Sequence, residues 1–397
     1  MSTDSTSRTL RPMHRIPLPE SGPPRLTTLA TGTPVWLVTR YADVRQVLMD
    51  PRFDRKSLRD EGAPPLLLVP NLLDSPDGLL NQDGPPHQLL RGTVQRAFTP
   101  RAIARWRPWT ASVVEALLDD LARQPQPADI VEAFTRRLPV SVISRLMGLE
   151  HADWERIRDW ADHALSGGAH TAEEVGAAMR EFGRFCAELV AERRKEPGDD
   201  LVSALVVAGD GLGIEEPRLV VLVLGLVVAG HETTMTALGN IVVHLLTDGR
   251  EAWPGLAESQ ESAETAVEQL LRTIPLSEGR VLPGLIRRAV EEAEVGGVTI
   301  PAGAVVAVQT NAANRDPDVF PRPEETDLFA PLTTPSVVFG AGPHHCLGAW
   351  LARLELGLAL HRLAVRFPGL RAEFTPETIE WREGQLTRGP RRLPVSW

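Results

Sequence analysis

Apolar residues recur at helical spacing through most of the chain beyond residue 87. They return every three or four positions, the spacing that places side chains on one face of an α-helix. A further helix is predicted directly behind Cys346, where four leucines between residues 347 and 358 share one face. The pattern predicts helices at residues 41–49, 87–97, 101–123, 129–147, 151–166, 172–195, 199–208 and 216–247.

Strand-like patterns are shorter and fewer. Residues 34–39 form one β-rich run, and a second covers 280–310, where Gly296 and Gly297 predict a hairpin turn. The tail at 381–397 alternates enough to form short strands. The proline-rich segment 60–86 has no steady period and predicts a long loop, which in a compact domain is usually functional or disordered.

No repeat or low-complexity linker divides these blocks. The sequence therefore predicts a single domain over residues 26–397, mainly α with a smaller β portion. Residues 1–25 are rich in proline and predict an irregular N-terminal arm.

The composition is that of a soluble globular protein, with 43% hydrophobic and 24% charged residues. The 42 basic and 52 acidic residues give a net charge of −10, which argues against nucleic acid as a partner. Two cysteines, Cys186 and Cys346, do not make a disulfide framework, so a reducing compartment fits. The polar residues 1–22 show no signal peptide, and the uncharged run 219–230 is too short to cross a bilayer. We expect a cytoplasmic protein without a membrane anchor.

Candidate chemistry centres on Cys346, which lies in a glycine- and proline-rich turn with a long apolar helix pattern behind it. Gly342 and Gly348 allow a tight turn and close approach to a flat ligand. The amides of the following helix would point at the sulfur, which predicts a lowered thiol pKa. A thiolate held in this way suits an axial ligand of haem iron. A buried free cysteine is the alternative for a lone cysteine in a turn.

The segment from Phe339 to Gly348 resembles the haem-binding loop of the cytochrome P450 family, Phe-x-x-Gly-x-x-x-Cys-x-Gly, at every fixed position. The resemblance continues in order along nearly the whole chain. It implies haem b (iron protoporphyrin IX), with Cys346 as the axial ligand of the iron and Phe339, Gly340 and Gly348 around it. It also implies a soluble bacterial monooxygenase that inserts one oxygen atom of O2 into a small molecule, with natural-product tailoring as the expected role.

A second segment, from Ala229 to Thr234, lies inside the longest apolar helix pattern. A buried acid there is costly without partners or a function, although the threonine hydroxyls could simply distort the helix. The segment resembles the family's Ala/Gly-Gly-x-Asp/Glu-Thr motif. That resemblance implies that Ala229 and Gly230 border the haem where the helix opens locally. It implies that Thr233 hydrogen-bonds the oxygen ligand and that Glu232 relays protons.

A third segment contains Glu268, Gln269 and Arg272. Glu268 and Arg272 are four residues apart and share a helical face. A pair with this spacing is usually a surface ion pair that contributes little to stability. The segment resembles the family's Glu-x-x-Arg pair, but Gln269 stands where the family has its acid. The family's downstream arginine is also missing between residues 324 and 338. We expect Gln269 to be the weaker partner of Arg272, with Glu268 as the alternative acid.

Haem propionates need cationic or hydrogen-bond-donating partners. His87 and Arg91 share a helical face, Arg287 precedes a β-rich stretch, and His344 lies two residues before Cys346. Each could be an ordinary solvated charge, but as a set they match the family's propionate contacts by position. Arg288 is the competing choice for Arg287, because a strand register can differ by one residue.

Several segments are expected to line the substrate pocket, among them the loop at 60–86 and the turn at 166–171. These walls are small or apolar, which predicts a sizeable, mostly apolar substrate. The residues expected in the pocket are Gly225, Val228, Ala229, Leu276, Ser277 and Leu386.

Electrons have to come from a partner, because no Gly-x-Gly-x-x-Gly fingerprint for flavin or nicotinamide follows a predicted strand. We expect a ferredoxin and its reductase. Arginines between residues 91 and 107 concentrate positive charge that could attract an acidic redox protein, or they are ordinary surface charges. Two other functions stay open. One is oxidative C–C or C–O coupling without oxygen insertion, and the other is a haem-thiolate sensor, against which Glu232 and Thr233 count.

Overall fold

The computed structural model describes residues 9–10, 18–150, 153–321, 323 and 326–397. Helices dominate these residues, as the periodicity predicts. Their bounds are α1 Tyr41–Met49, α2 Gly84–Gln95, α3 Pro100–Ala104, α4 Arg107–Ala122, α5 Arg137–Met147, α6 Trp154–Ala164, α7 Ala172–Lys195, α8 Leu201–Leu212, α9 Glu216–Leu246, α10 Trp253–Glu258, α11 Gln260–Thr273, α12 Thr310–Ala313 and α13 Ala349–Arg366.

Short strands make up the β portion. Their bounds are β1 Thr9–Leu10, β2 Arg25–Thr28, β3 Pro34–Val38, β4 Phe53–Asp54, β5 Ala128–Asp129, β6 Leu285–Ala289, β7 Ala293–Val295, β8 Val298–Ile300, β9 Val305–Val308, β10 Thr326–Asp327, β11 Arg371–Ala372 and β12 Pro394–Ser396. The largest sheet has the order β2-β3-β9-β6-β4, in which only the β3–β9 pair is parallel. Smaller sheets pair β11-β12-β5, β7-β8 and β1-β10. The fold is mainly α with a smaller β portion, as predicted.

Prolines and glycines explain where the helices depart from the predicted bounds. The predicted helix at 101–123 is divided, because Pro108 lies in the first turn of α4, where its missing N–H costs nothing. The predicted helix at 129–147 begins with a π-helical turn, Val131–Thr135, before α5. Helix α8 continues to Leu212 and ends at Gly213, whose φ of 68° suits glycine.

The N-terminal arm is not irregular throughout, because β1 pairs with β10. The rest of the predicted arm is described only from residue 18 onward. The hairpin at Gly296 and Gly297 is confirmed between β7 and β8. The loop at 60–86 contains only short 3₁₀ turns before α2 begins.

Helix α9 is the centre of the core and packs against α5 and α7. Nearly every side chain from Val227 to its end is buried. By length and composition it is the one helix among the described residues that could cross a membrane, yet 67% of its most apolar window lies inside the protein. Its apolar character is therefore that of a central core helix.

Candidate functional site

The turn that carries Cys346 is held close to the N-terminal half of the chain. Gly340 and Gly342 have φ angles of 72° and 69°, which favour glycine. A side chain at Gly342 would overlap the carbonyl oxygen of Leu48 at the end of α1. The amide of Cys346 donates to the Phe339 carbonyl at 2.8 Å, which closes the turn just before α13. The residues of this predicted loop are thus brought together as expected.

The predicted lowering of the Cys346 pKa is wrong in its net direction. The amides of Gly348 and Ala349 do face the sulfur and lower its pKa, as do the charges of Arg91 and Arg353. Desolvation outweighs them and raises the pKa overall, even though the residue opens onto a cavity. The free thiol therefore stays protonated at neutral pH, and a bound metal ion would remove the proton through its own charge.

Two cavities meet at Cys346. The first has a volume of about 330 Å³ and reaches α9, and the second, of about 400 Å³, extends under β6. Five residues line both cavities: Leu73, Leu80, Thr233, His344 and Cys346. The space thus runs across the face of the cysteine loop, with the loop at 60–86 on its rim.

Small residues on α9 make room opposite Cys346. Gly225, Ala229 and Thr233 are spaced by four, so they share one helical face, and all three line the first cavity together with Val228. The expected local opening of the helix is wrong, because α9 is continuous from Glu216 to Leu246. The Thr233 hydroxyl donates to the Ala229 carbonyl at 2.8 Å and still borders both cavities.

Gly230 does not border either cavity. A Cβ atom there would lie 2.7 Å from Cδ1 of Ile143, so this glycine allows close packing of α9 against α5. The structure thus gives Gly230 a packing role, and its contact with a cofactor stays a prediction.

Glu232 is fully buried and lines neither cavity. Its Oε1 accepts hydrogen bonds from Arg382 Nη1 at 2.6 Å, Thr387 Oγ1 at 2.9 Å and Thr236 Oγ1 at 3.4 Å. Arg382 also donates to Asp162 on α6 at 2.8 Å, and the Asp162 side chain is 39% exposed. The acid is therefore linked to the surface through Arg382.

Burial raises the pKa of Glu232, and the positive charge of Arg382 opposes that rise. The other carboxylate oxygen, Oε2, has no hydrogen-bond partner among the described residues. The neighbouring His231 is also fully buried, and burial lowers its pKa to about 3, so it is neutral. Burial and the Arg382 charge therefore act on the Glu232 pKa in opposite directions, and burial has the larger effect.

Buried cations border the Cys346 cavities. Arg287 is 3% exposed and lines the second cavity, whereas Arg288 points to Gly303 and Ser57, so the register favours Arg287. Arg55 lines the same cavity and donates to Asn81 and to the Ile286 carbonyl.

Burial lowers the pKa of Arg287 to about 10, and burial together with repulsion from Arg287 lowers that of Arg55 to about 9. Both arginines keep their charge at neutral pH, but their positive charge is only partly neutralised. An anion placed between them would be stabilised.

Two histidines extend this set of donors. His344 Nε2 lies 2.9 Å from Asp83 Oδ1, and its ring lies 4.3 Å from that of His87. His87 is 2% exposed, and its Nε2 has no partner among the described residues. Arg91 donates to the His345 carbonyl at 2.7 Å and lines the first cavity. An unpaired buried ring nitrogen is costly, so it indicates a ligand group.

These residues fit haem. The cavities are mostly apolar, with a thiol on one side and small residues on the other. Arginines whose charge is only partly neutralised lie at the end under β6. Acidic side chains of the porphyrin would satisfy those cations and the His87 nitrogen. Of the predicted cofactor residues, His87, Arg91, Ala229, Arg287, Phe339, Gly340, His344 and Cys346 border the two cavities, and Gly348 lies behind the sulfur.

Gln269 contacts Arg272, as expected, and the weakness of that contact relative to a carboxylate stays a prediction. Arg272 Nε donates to Gln269 Oε1 at 3.1 Å, and its other nitrogens donate to Asn314 O at 2.7 Å and Thr326 Oγ1 at 2.6 Å. Burial lowers the pKa of Arg272 to about 10. The alternative acid, Glu268, instead binds Arg353 on α13, with Arg353 Nη2 at 3.1 Å from Glu268 Oε2.

The expected substrate pocket is divided between three cavities. Gly225, Val228 and Ala229 line the first cavity and Leu276 lines the second. Ser277 and Leu386 line neither, and instead border a third cavity of about 440 Å³ near the turn at 166–171.

Arg55, Asn81, Asp83 and Arg382 were missed by reasoning from the sequence. None belongs to a periodic pattern, and each has a side-chain partner that lies 26 to 261 residues away in the chain.

Comparisons with known proteins agree with this geometry. A family model for cytochrome P450 matches residues 267–391. Over 382 residues the chain is 43% identical to nocardicin C N-oxygenase from Nocardia uniformis subsp. tsuyamanensis, which spans 96% of this chain and 94% of that relative. Over 371 residues it is 43% identical to mycinamicin IV hydroxylase/epoxidase from Micromonospora griseorubida, with 92% and 90% spanned.

The fold agrees equally well with solved structures. The structure of cytochrome P450 TxtC, described with thaxtomin hydroxylation, superposes with a TM-score of 0.87 at 33% identity, and the match covers 95% of this chain and 97% of that one. A cytochrome P450 with biaryl coupling reactivity also gives a TM-score of 0.87, at 37% identity, with 94% and 93% covered. Likeness of this extent, over almost the full length of both chains, places the protein within the cytochrome P450 family.

Proposed function

We propose that this protein is a haem-thiolate monooxygenase that oxidises a mostly apolar small molecule of secondary metabolism. One observation carries the proposal. Cys346 opens onto two adjoining apolar cavities, and Thr233 lies opposite it. Buried arginines whose charge is only partly neutralised lie at the end of the second cavity. Relatives named for the oxidation of nocardicin C and mycinamicin IV support the same class of substrate.

Haem b, when bound by the Cys346 thiolate, supplies the activation of O2 and the transfer of one oxygen atom. The chain's own residues hold and orient it. Arg55 and Arg287 would bind its acidic side chains, and the orphan Nε2 of His87 would complete that contact. The apolar walls exclude water from the space above it.

Thr233 and Glu232 would deliver protons to the cavity. The Thr233 hydroxyl now donates to the Ala229 carbonyl, but rotation about its Cα–Cβ bond would bring it into the cavity as a hydrogen-bond donor. Glu232 would hold the next proton, because burial raises its pKa above the ordinary carboxyl value. Arg382 and Asp162 connect it to solvent at the surface. A positioned donor of this kind contributes about a hundredfold or more to a rate.

A ferredoxin and its reductase would supply the electrons, since the chain shows no flavin or nicotinamide fingerprint. Arg96, Arg101 and Arg105 are exposed and lie in or beside α3. Their charge would attract an acidic redox protein in spite of the net charge of −10. A cytoplasmic location fits such partners.

The test is the spectrum of the reduced, CO-bound protein. Wild type should show the red-shifted band that a thiolate ligand produces, and Cys346→Ala should lose it. Cys186→Ala is the matched control, since Cys186 is buried in the core away from the cavities and should leave the band unchanged. Retention of the band in Cys346→Ala would refute the assignment.

The substrate class is tested by titration of the haem-loaded protein with polyketides, macrolides and cyclic dipeptides. Displacement of water from the iron by at least one apolar candidate is expected. Displacement by small polar acids alone would refute the proposed class.

A further inference from the structure

A surface groove of about 560 Å³ borders the start of α13, the helix that follows Cys346. Residues from α3, α11 and α13 line it, among them Trp350 and Arg353. Ala352 and Leu356, which lie on another face of α13, line the second cavity instead. No residue that lines the groove also lines either cavity at Cys346. The first turns of α13 therefore separate the groove from the space at Cys346.

Arg353 is held in this groove by contacts to both the face and the edge of its guanidinium. The guanidinium carbon lies 4.5 Å from the centre of the Phe339 ring and 5.2 Å from that of Trp350. At the edge, Nε and Nη2 donate to the two carboxylate oxygens of Glu268, the second at 3.1 Å. Its side chain is only 24% exposed. A planar fork that stacks on rings and binds a carboxylate with two nitrogens has one well-defined position. The positive charge is therefore fixed in place.

Phe339 connects this charge to the cysteine turn. Its carbonyl accepts the Cys346 amide at 2.8 Å, and it lines the second cavity. The charge of Arg353 lowers the Cys346 pKa, so its effect reaches the sulfur. Arg91 acts in the same sense from the first cavity, where it is also an expected contact of the cofactor. Arg353 lines neither cavity, so its charge acts from outside the space that a cofactor would occupy.

We propose that Arg353 is a positioning residue that fixes a positive charge behind Cys346 and thereby raises the reduction potential of the thiolate-bound iron, with Glu268 as the counter-charge that limits the effect. The inference rests on the proposed haem-thiolate function. One-electron reduction adds one negative charge at the iron, and a fixed positive charge nearby stabilises the reduced state. The carboxylate of Glu268 opposes this effect, because it pairs directly with the guanidinium.

The test is a redox titration of the haem-loaded protein, in which soluble mediators supply the electron. Arg353→Gln should lower the ratio of ferrous to ferric iron at a fixed potential by about three- to tenfold, as expected for a unit charge partly screened by solvent. Arg353→Lys keeps the charge and should keep most of the ratio, and Glu268→Gln should raise it. Arg362→Gln is the matched control, because Arg362 lies on the same helix and pairs with Glu115 at 2.9 Å on the surface. It should leave the ratio unchanged.

The CO-bound spectrum separates this inference from the proposed function. A thiolate band in every variant, with equal ratios in Arg353→Gln and Arg362→Gln, would overturn the role of Arg353 and leave the haem-thiolate function intact. Absence of the band from wild type would refute the function itself. An equal fall in Arg353→Gln and Arg353→Lys would assign the effect to packing against Phe339 and overturn the role of the charge. If Arg353→Gln does not fold, Glu268→Gln still decides, because an unchanged or lower ratio there would overturn the inference.

Discussion

Replacement of Arg382 by leucine tests the most deeply buried ion pair among the residues that the structure describes. The Glu232 partner is fully buried, and the two side chains are 2.6 Å apart. The second partner, Asp162, is 39% exposed, so solvent screens that pair and it contributes at most about 1 kcal/mol. Leaving a buried carboxylate without its cation costs about 3–5 kcal/mol. We expect the free energy of unfolding at neutral pH to fall by about that larger amount.

The sign of the pH dependence follows from the Glu232 pKa. Burial raises this pKa in the folded protein, and loss of Arg382 would raise it further. The folded variant then binds a proton that the unfolded chain releases. Its stability is therefore greatest below the ordinary carboxyl pKa and falls as the pH rises toward the folded pKa. The deficit relative to wild type should shrink in acid.

Urea unfolding of the haem-loaded protein, followed by circular dichroism, measures the effect. Arg392→Leu is the matched control, since Arg392 is exposed in the same segment and should cost little. Adding Glu232→Gln to Arg382→Leu should recover most of the loss, because the unpaired charge is then gone. Equal unfolding of the Arg382 and Arg392 variants, or no recovery in the double variant, would refute the reasoning.

Three further predictions concern Thr233 and Gly230 on α9 and Gln269 on α11. Thr233→Ala should lower the amount of product formed per electron consumed and raise the release of peroxide, with both measured in the same assay. An unchanged ratio of product to electrons would contradict the role of Thr233 as a proton donor. Gly230→Ala should destabilise by about 1–3 kcal/mol, because its Cβ would overlap Ile143, and Ile143→Val should restore part of that loss in thermal melts. Gly225→Ala, the matched change where no atom lies within 4 Å, should instead stabilise by about 0.5–1 kcal/mol. Gln269→Glu introduces an acid, and Arg272 would lower the pKa of that acid in the folded protein. The stability of the variant relative to wild type should therefore rise from acidic to neutral pH. A stability difference that does not change with pH would contradict the pairing with Arg272.

Local signals in the sequence account for most of the helices and for the cysteine loop. The predicted bounds of 172–195 match α7, where Thr171 and Glu174 form a capping box. Glycine spacing was enough to place Cys346 in a tight turn. The net thiol pKa was not predictable, because the burial that raises it depends on how the folded chain packs around the sulfur, and it outweighs the opposing charges of Arg91 and Arg353.

Long-range polar partners were the main part that the sequence could not predict. Glu268 and Gln269 are adjacent in the chain, yet one contacts α13 and the other contacts Arg272, because helix orientation decides which face is buried. The partner of Glu232 lies 150 residues further along the chain. Periodicity gives the buried face of a helix but carries no information about which polar side chain meets it.

The parallel pairing of β3 with β9 has a consequence for biosynthesis. Trp36 to Val38 pair with Val306 to Val308, so the β2–β3 hairpin has no strand on its inner edge until some 270 further residues have been made. The chain grows at about 5–20 residues per second, so this segment waits on the ribosome for tens of seconds. The cysteine turn, which packs against α1, is made later still. Cofactor capture must therefore follow synthesis of nearly the whole chain, and truncated products should emerge without haem.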